Sequence, residues 1–294
     1  MNILLIGGSG FVGSHLAGRL TAEGHVLLVP TRRPERARHL LPLPTTRVVQ
    51  ADVFDESQLE GLAREAEAIV NLVGILKGDF DRVHVRLPEL IGRVARRSGV
   101  GRVVQVSALR AAVDAPSAYL RSKAAGEEAL RASLPRAVVV RPSVIFGSGD
   151  SFIHLFARLQ CLLPPYLPLP LACAEAMFQP VSVFDVAEVI ARALTGPSAA
   201  GEEYDLCGPR RYSLRTLVRL AGEAAGCPHP VLGLSPALSW LQAAVMQLLG
   251  GPMTLDNLRS MQIDSVCDRP PPFGITPIAL EAVLPTMLGW RKGP

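Results

Sequence analysis

The sequence is poor in lysine, aromatic residues and charge, and these deficits narrow the class of protein. Only three of its thirty basic residues are lysine, and aromatic residues make up 5% and charged residues 19% of the 294 positions. There is no block of like charge and the net charge is +4, so nucleic acid is not an expected partner. With 49% hydrophobic residues, the chain is too apolar to be disordered. Its length suits one large domain or two smaller ones.

Cysteines and long apolar runs are also scarce. The five cysteines stand far apart, without a Cys-x-x-Cys pair or a histidine at ligand spacing, which predicts reduced, unpaired thiols and neither a disulfide framework nor a metal site. No stretch reaches the roughly 18 uninterrupted apolar residues that a membrane-spanning helix needs. The N-terminus also lacks the basic start of a secretion signal. These features predict a cytoplasmic protein.

The chain does contain an alternation of short apolar runs and helical segments. The runs at 2–6, 25–29, 69–73, 102–106 and 137–140 have the length and composition of buried parallel strands. This order predicts an α/β fold over residues 1–150, a doubly wound parallel sheet of the Rossmann type. Beyond it, prolines interrupt the pattern and helices follow near 185–195, 213–225 and 235–250. We expect residues 151–294 to form a smaller, mostly helical domain, with a segment near 180–210 returning to the first domain.

The first predicted strand runs into a glycine-rich loop, Gly7-Gly-Ser-Gly-Phe-Val-Gly13, at the start of a helix. In this place Gly7 permits a tight turn, Gly10 lets the backbone approach a pyrophosphate, and Gly13 lets helix and strand pack closely. The unpaired N–H groups and the dipole of the helix start also favour phosphate. The loop therefore predicts dinucleotide binding by Gly7, Ser9, Gly10, Phe11, Val12 and Gly13.

The end of the second strand indicates which dinucleotide binds. NAD enzymes usually place an acid there to accept a hydrogen bond from the ribose 2′-hydroxyl. This chain has Thr31, Arg32 and Arg33, and no acid before Glu35. A guanidinium pairs well with a 2′-phosphate, so NADP(H) is favoured over NAD(H). The alternative is that both arginines are solvated side chains of an arginine-rich sequence.

A Tyr-x-x-x-Lys pair, Tyr119 and Lys123, is the second chemical signal, since the chain has only four tyrosines and three lysines. Four residues apart on a helix, the two share a face, and the ammonium is expected to lower the pKa of the phenol toward working pH. Tyr119 could then exchange a proton with a substrate. Ser107 ends a predicted strand, where its hydroxyl could orient a carbonyl or an alcohol. We expect Ser107, Tyr119 and Lys123 to be catalytic.

These motifs, with Arg141–Gly147 and Val183-Phe-Asp-Val-Ala187, resemble the short-chain dehydrogenase/reductase superfamily, in its extended and atypical branches, over nearly the whole chain. The resemblance implies further contacts with the cofactor. Asp52 and Val53 would contact the adenine, and the loop that contains Gly74 would lie on the ribose side. Tyr119 and Lys123 would also touch the cofactor, and Pro142, Ser143 and Ile145 would lie at the nicotinamide carboxamide.

Within the superfamily, five stretches are most similar to the subfamily of the nucleotide-binding accessory subunit of respiratory complex I: 31–33, 71–76, 117–123, 178–181 and 264–268. In that subfamily a tightly held NADPH can be structural, and relatives are linked to ubiquinone biosynthesis. Two positions depart from the extended members. Phe178 stands where nucleotide-sugar epimerases carry a diphosphate-binding arginine, which argues against such a substrate. His84 stands where they carry an asparagine, which puts the proton relay in question, although a histidine can also hold a water molecule.

Two apolar stretches of the second domain, 152–178 and 237–250, have few charges. They suit core packing, a pocket for an apolar substrate, a partner surface or shallow contact with a bilayer. Three functions therefore compete. The first is an NADP(H)-dependent oxidoreductase acting on a carbonyl or alcohol of an apolar or quinone-related small molecule. The second is a non-catalytic protein that holds NADPH in a respiratory or ubiquinone-biosynthesis complex, peripheral to the inner membrane. The third is a nucleotide-sugar epimerase or dehydratase.

Overall fold

A computed structural model of the chain describes residues 1–164, 166–196, 200–251 and 253–288. The last six residues of the expected second domain, 289–294, lie outside the described residues. The strands are β1 (Asn2–Ile6), β2 (Val26–Thr31), β3 (Thr46–Gln50), β4 (Ala68–Asn71), β5 (Arg102–Val106), β6 (Val138–Pro142), β7 (Ile145–Phe146), β8 (Leu169–Leu171), β9 (Met177–Phe178), β10 (Val181–Ser182), β11 (Glu203–Leu206), β12 (Tyr212–Ser213) and β13 (Val231–Gly233).

The helices alternate with these strands over the first half of the chain. They are α1 (Phe11–Ala22), α2 (Glu56–Ala63), α3 (Leu87–Arg97), α4 (Ala118–Ser133), α5 (Phe152–Leu162), α6 (Val183–Thr195), α7 (Leu214–Ala225), α8 (Pro236–Leu248), α9 (Leu255–Ser260) and α10 (Leu280–Leu288). Short 3-10 helices cover Pro34–Leu40 and Pro272–Gly274, and a π-helical segment, Asp81–Arg86, leads directly into α3. Two kinds of helix therefore follow each other directly before Gly99.

A seven-stranded parallel sheet carries the first part of the chain, in the order β11-β6-β5-β4-β1-β2-β3. The chain starts at β1, continues to β2 and β3 on one side and returns to β4 on the other. The strand order therefore reverses beside β1, and the carboxyl end of such a reversal is where ligands bind in open α/β sheets. Side chains Ile3–Ile6 are fully buried, as expected for a strand covered by helices on both faces. The Rossmann-type fold expected from the sequence is confirmed.

The first turn of α4 places two of the expected catalytic side chains. Ser117 is the N-cap, and its hydroxyl accepts a hydrogen bond from the backbone N–H of Leu120. Because the cap fixes where the helix begins, Tyr119 and Lys123 fall in its first two turns. The helix also packs against α3 over the core cluster that contains Leu90, Ile91 and Leu130.

The chain folds as two units. One comprises Met1–Pro142 and Val183–Asp205, and the other comprises Ser143–Ser182 and the described residues from Leu206 onward. Residues 143–150, which the sequence places in the first domain, therefore belong to the second unit. That unit has its own core, formed by α5, α7 and α10 around residues such as Phe146, Leu217 and Leu284, and its strands pair two at a time.

Two disulfides link the second unit, which corrects the expectation of unpaired thiols. Cys161 at the end of α5 pairs with Cys227 after α7, and Cys207 pairs with Cys267, while Cys173 is a free thiol. The partners are 66 and 60 residues apart, and tertiary packing, including that of α5 on α7, brings them together. Such pairs leave no local spacing signal in the sequence.

Two absences hold for the part of the chain that the structure describes. No helix there is both long enough and apolar enough to cross a membrane. No group of three or more His, Cys, Asp or Glu side chains there could hold a metal ion.

Candidate active site

The glycine-rich loop is a tight cradle in front of α1. Gly7 has a φ of +83°, and its carbonyl accepts the N–H of Gly10 at 3.0 Å. A Cβ atom on Gly13 would lie 2.5 Å from the carbonyl oxygen of Gly7 and from the Cα of Gly8, so only glycine fits there. Gly10 is the N-cap of α1 and provides no side-chain cap, and this leaves the first N–H groups of the helix open to an anion. Ser9, Phe11 and Val12 are half-buried beside this opening.

The second and third strands end side by side, with Thr31 in register with Gln50. The hydroxyl of Thr31 accepts the N–H of Arg33 at 3.2 Å. The side chains of Arg32 and Arg33 are exposed, and neither forms an ion pair with another described residue. Asp52 and the half-buried Val53 follow β3, and a carboxylate oxygen of Asp52 accepts the N–H of Phe54 at 3.1 Å. This edge therefore offers free guanidinium groups to a phosphate.

His39 is a neighbour of the glycine loop that sequence reasoning missed. The hydroxyl of Ser14 donates to the carbonyl of Gly10 at 2.7 Å, and Nε2 of His39 lies 2.8 Å from the same hydroxyl. Because the hydroxyl has only one proton, Nε2 must be the donor in the second bond. The two residues are 25 positions apart, and the 3-10 helix Pro34–Leu40 brings them together. No local sequence pattern predicts this contact.

Around the start of α4, the structure brings Lys123, Gly74 and the end of β5 together. Lys123 is buried, and its Nζ donates to the carbonyl of Val106 at 3.4 Å. A Cβ on Gly74 would lie 3.1 Å from Nζ, so glycine allows the amine to approach the loop backbone. Ser107 directly follows β5. Its N–H donates to the carbonyl of Val140, and its buried hydroxyl has no hydrogen-bond partner among the described residues.

The titration of the Tyr-Lys pair differs from the sequence expectation. Burial raises the pKa of Tyr119 to about 12, so the prediction that Lys123 lowers the pKa of this phenol is wrong. The cause is that removing the ring from water disfavours the phenolate. Burial also lowers the pKa of Lys123 to about 8, against the opposing charge of Glu127. At neutral pH both groups therefore hold their protons, and Tyr119 is suited to donate one.

Three aromatic rings meet beside this pair. The ring of His84 is buried and stacks on Phe80 with centroids 5.4 Å apart, and both rings contact the ring of Tyr119 edge-on. Sequence reasoning singled out His84 but missed Phe80 and Ser122, whose hydroxyl lies 2.8 Å from Nδ1 of His84. Phe80 lies four residues before His84, but only the path of the π-helical segment places both rings against α4.

The residues expected at the carboxamide divide between the two units. Pro142 ends β6, and its carbonyl accepts the N–H of Leu109. Ser143 and Ile145 belong to the second unit. There the hydroxyl of Ser143 lies 2.9 Å from both the carbonyl and the hydroxyl oxygen of Ser265. Ile145 lies in β7 and pairs with Val181. The contacts of these three residues with a cofactor stay predictions.

Phe178, the residue in place of a diphosphate-binding arginine, is part of the core of the second unit. It is buried, and its ring lies 5.8 Å from that of Phe152, centroid to centroid. A buried phenyl ring has no group that could pair with a diphosphate.

With this geometry in place, comparison with known proteins identifies the family. The model of the NAD dependent epimerase/dehydratase family matches residues 3–207, and the chain belongs to this family. It is 31% identical over 223 residues to mouse (Mus musculus) mitochondrial NADH dehydrogenase [ubiquinone] 1 alpha subcomplex subunit 9. This match covers 73% of the chain and 59% of the mouse protein, so the chain spans less than two thirds of the length of that relative.

Two further matches are an enzyme and a solved structure. A ceramide reductase of Caulobacter vibrioides is 34% identical over 153 residues, 51% of this chain and 48% of the reductase. The structure of a dTDP-glucose 4,6-dehydratase from Streptomyces venezuelae superposes with a TM-score of 0.74 at 21% identity. That superposition covers 99% of this chain and 96% of the dehydratase, and at this identity it shows the fold alone.

Proposed function

We propose that this member of the NAD-dependent epimerase/dehydratase family is an NADP(H)-dependent oxidoreductase that interconverts a carbonyl and an alcohol on an apolar or quinone-related substrate. The observation that carries the proposal is the hydroxyl of Ser107, buried at the carboxyl end of β5 without a hydrogen-bond partner among the described residues. Leaving such a group unsatisfied costs roughly 1–3 kcal/mol. Because this cost would be relieved by a hydrogen bond, we infer that a substrate oxygen is the partner of the Ser107 hydroxyl.

The roles of the three catalytic residues follow from their surroundings. Ser107 orients the substrate oxygen. Tyr119 is protonated at neutral pH and transfers its phenolic proton to that oxygen in the reductive direction. The amine of Lys123, beside Gly74, is suited to bind a ribose hydroxyl of the cofactor. NADP(H), when bound, supplies or accepts the hydride, and Gly7, Gly10 and Gly13 would hold its pyrophosphate.

Preference for NADP(H) rests on Arg32 and Arg33, whose exposed guanidinium groups make no ion pair with the described residues. We expect the double variant Arg32→Ala/Arg33→Ala to weaken NADPH binding by about 10- to 100-fold and NADH binding by less than about threefold, because only NADPH carries the 2′-phosphate. Fluorescence titration with each cofactor measures both constants. Arg96→Ala removes an exposed charge from α3 and is the control. Equal losses for the two cofactors would contradict the preference.

An apolar substrate is favoured over a nucleotide sugar by two observations. Phe178 occupies the core position described above and offers no charge to a diphosphate. The relative from Caulobacter vibrioides is a ceramide reductase, and ceramide is an apolar lipid. An epimerase or dehydratase acting on nucleotide sugars is therefore the least favoured of the three functions.

The experiment that tests catalysis is Tyr119→Phe. We expect this variant to keep its affinity for NADPH within about threefold and to lose roughly 10²- to 10⁴-fold in turnover, because the ring remains and the proton donor is gone. Turnover is followed as NADPH oxidation with a panel of apolar aldehydes, ketones and quinones. Tyr204→Phe, outside the site on β11, is the control. Unchanged turnover in Tyr119→Phe would refute the proposed catalytic role of Tyr119.

A second candidate function is an accessory protein that holds NADPH in a respiratory or ubiquinone-biosynthesis complex, on the cytoplasmic face of the inner membrane. The name of the mouse relative makes it a subunit of a mitochondrial NADH dehydrogenase. Helix α8 supports this candidate because it exposes Leu241, Val245 and Leu248, whereas its buried residues are Ser239 and Ala243. A large apolar face turned outward is typical of interaction surfaces.

Cellular complementation separates the two candidates. The accessory role predicts that Tyr119→Phe matches wild type in every phenotype, whereas Gly10→Glu fails because it places a carboxylate where the phosphates bind. The oxidoreductase proposal predicts that neither variant complements.

A further inference from the structure

His84 is a buried titratable residue that the proposed proton transfer does not use. It is 2% exposed and lies in the π-helical segment Asp81–Arg86. Gly126 of α4 is the reason it lies so close to that helix, since a Cβ on Gly126 would collide with the carbonyl oxygen of His84. The π-helical turn and the glycine together bring the imidazole beside the helix that carries Tyr119 and Lys123.

The hydrogen bonds of the ring determine its tautomer. The backbone N–H of Ile75 lies 3.0 Å from Nε2, and since a backbone N–H can only donate, Nε2 carries no proton. In the neutral ring Nδ1 is then protonated and donates to the hydroxyl of Ser122 at 2.8 Å. That hydroxyl donates in turn to the carbonyl of Tyr119 at 2.7 Å. Both ring nitrogens are therefore engaged by protein groups.

The surroundings of the ring keep it neutral at neutral pH. Burial, with the nearby charge of Lys123, lowers the pKa of His84 to about 3. The other groups in contact with the ring, Phe80, Tyr119 and Ser122, carry no charge at neutral pH. The one proton of the neutral ring is donated to Ser122, whose own proton goes to a backbone carbonyl, and Nε2 is occupied by the N–H of Ile75, so these bonds lead to no group that exchanges a proton with a substrate.

These bonds join two elements of the candidate site. Ile75 follows Gly74 in the loop that approaches the amine of Lys123, and Ser122 lies on α4 next to Lys123. The imidazole therefore connects the loop after β4 with the first two turns of α4, and its ring, stacked on Phe80, contacts the ring of Tyr119 edge-on.

We propose that His84 is a positioning residue: it connects the Gly74–Ile75 loop to α4 and holds the ring of Tyr119, as a neutral Nδ1-protonated ring outside the proton relay. This inference rests on the proposed function insofar as Tyr119 is the proton donor. It assigns to His84 a mechanical role in place of the water-holding role that its position in the sequence suggested.

Nitrogen-15 NMR of histidine-labelled protein tests the tautomer without a substrate. We expect one of the six histidines to show the signals of a neutral, Nδ1-protonated ring that do not move between pH 8 and pH 5, and the His84→Gln variant to lack them. An exposed histidine titrates near pH 6.5. Titration of the His84 signals in this range, or protonation on Nε2, would overturn the proposal.

Variants test the positioning role with NADPH as the probe. His84→Phe keeps a stacked ring but loses both hydrogen bonds, and we expect it to weaken NADPH binding about tenfold. His84→Gln places an acceptor near the N–H of Ile75 and should restore binding to within about threefold of wild type. Equal NADPH affinity of His84→Phe and wild type, or no recovery in a folded His84→Gln, would overturn the role.

The pH dependence of turnover separates this inference from the proposed function. We expect kcat to fall in His84→Phe while its pH profile keeps the shape of the wild-type profile, because His84 carries no proton. Loss of one limb of the profile would show a proton relay through His84 and refute the inference. Full turnover in Tyr119→Phe refutes the proposed function instead, and it leaves the NMR and NADPH results on His84 standing.

Discussion

The two units of this chain are built in different ways. In the first, neighbouring strands pair in parallel along three to five residues, and the side chains of β1 are entirely buried. In the second, strands of two or three residues pair two at a time, and two disulfides connect segments 60 and 66 residues apart. A regular sheet needs only a repeated local pattern, whereas the second unit depends on particular long-range contacts.

One apolar segment from each unit shows how differently such residues can be placed. The aliphatic side chains Ile3–Ile6 lie at 0% exposure, whereas Leu248 on α8 is 87% exposed. Both segments have a similarly apolar sequence. The comparison teaches that apolar composition alone does not tell whether a segment lies in the core or at the surface, because burial depends on the fold.

The largest effect is expected from the second unit's disulfide between Cys207 and Cys267. Replacing both residues by alanine should lower the free energy of unfolding of this unit by about 4 kcal/mol, since the bridge closes a loop of 60 residues. Hydrogen exchange measured by mass spectrometry should show faster exchange near α7 and α10, with strands β1–β6 unchanged. Cys173→Ala, which removes the free thiol, is the control. Equal loss of protection in both units would remove the distinction between them.

A smaller effect is expected at the glycine loop of the first unit. Gly13→Ala places a methyl group 2.5 Å from backbone atoms of Gly7 and Gly8, and we expect a loss of about 3 kcal/mol in the free energy of unfolding. Gly18→Ala on the same helix is the matched control, because its Cβ would meet nothing within 4 Å. The control should be stabilised by about 0.5–1 kcal/mol. Urea denaturation measures both, and equal stability of the two variants would contradict the tight loop.

The smallest effect is expected on the outer face of α8. Leu241→Gln should change the free energy of unfolding by no more than about 0.5 kcal/mol, because the side chain is 53% exposed and no cavity forms. Ala243→Leu, on the buried face, should cost about 1–3 kcal/mol through overpacking. Thermal unfolding of the two variants measures both changes in stability. A large loss in Leu241→Gln would mean that this face packs against the protein.

Much of the first unit could be predicted from local pattern. The apolar runs indicated β1, β2, β4, β5 and β6, the glycine spacing indicated the phosphate loop, and the Tyr-x-x-x-Lys spacing placed two side chains on one face of α4. Each of these signals lies within a few residues of the chain, because strand and helix periodicity and tight turns are local properties.

The remainder depends on contacts between distant residues. The pKa of Tyr119 rises because the fold buries the ring, although the sequence places an ammonium four residues away. The contact of His39 with Ser14 and the bonds of His84 with Ile75 and Ser122 join segments 9 to 38 residues apart. The pairing of four cysteines is of the same kind. None of these contacts has a periodicity that a sequence could display.

The sequence by itself determined the order of strands and helices, the glycine loop and the identity of the Ser107, Tyr119 and Lys123 side chains. Only the tertiary structure decided that the Ser107 hydroxyl is buried without a partner, that the Tyr119 phenol keeps its proton, and that the large side chains of α8 face outward. The physical reason is that helix and strand periodicity and tight turns depend on neighbouring residues of the chain, whereas burial and the pKa of a buried group depend on everything that the fold packs around them.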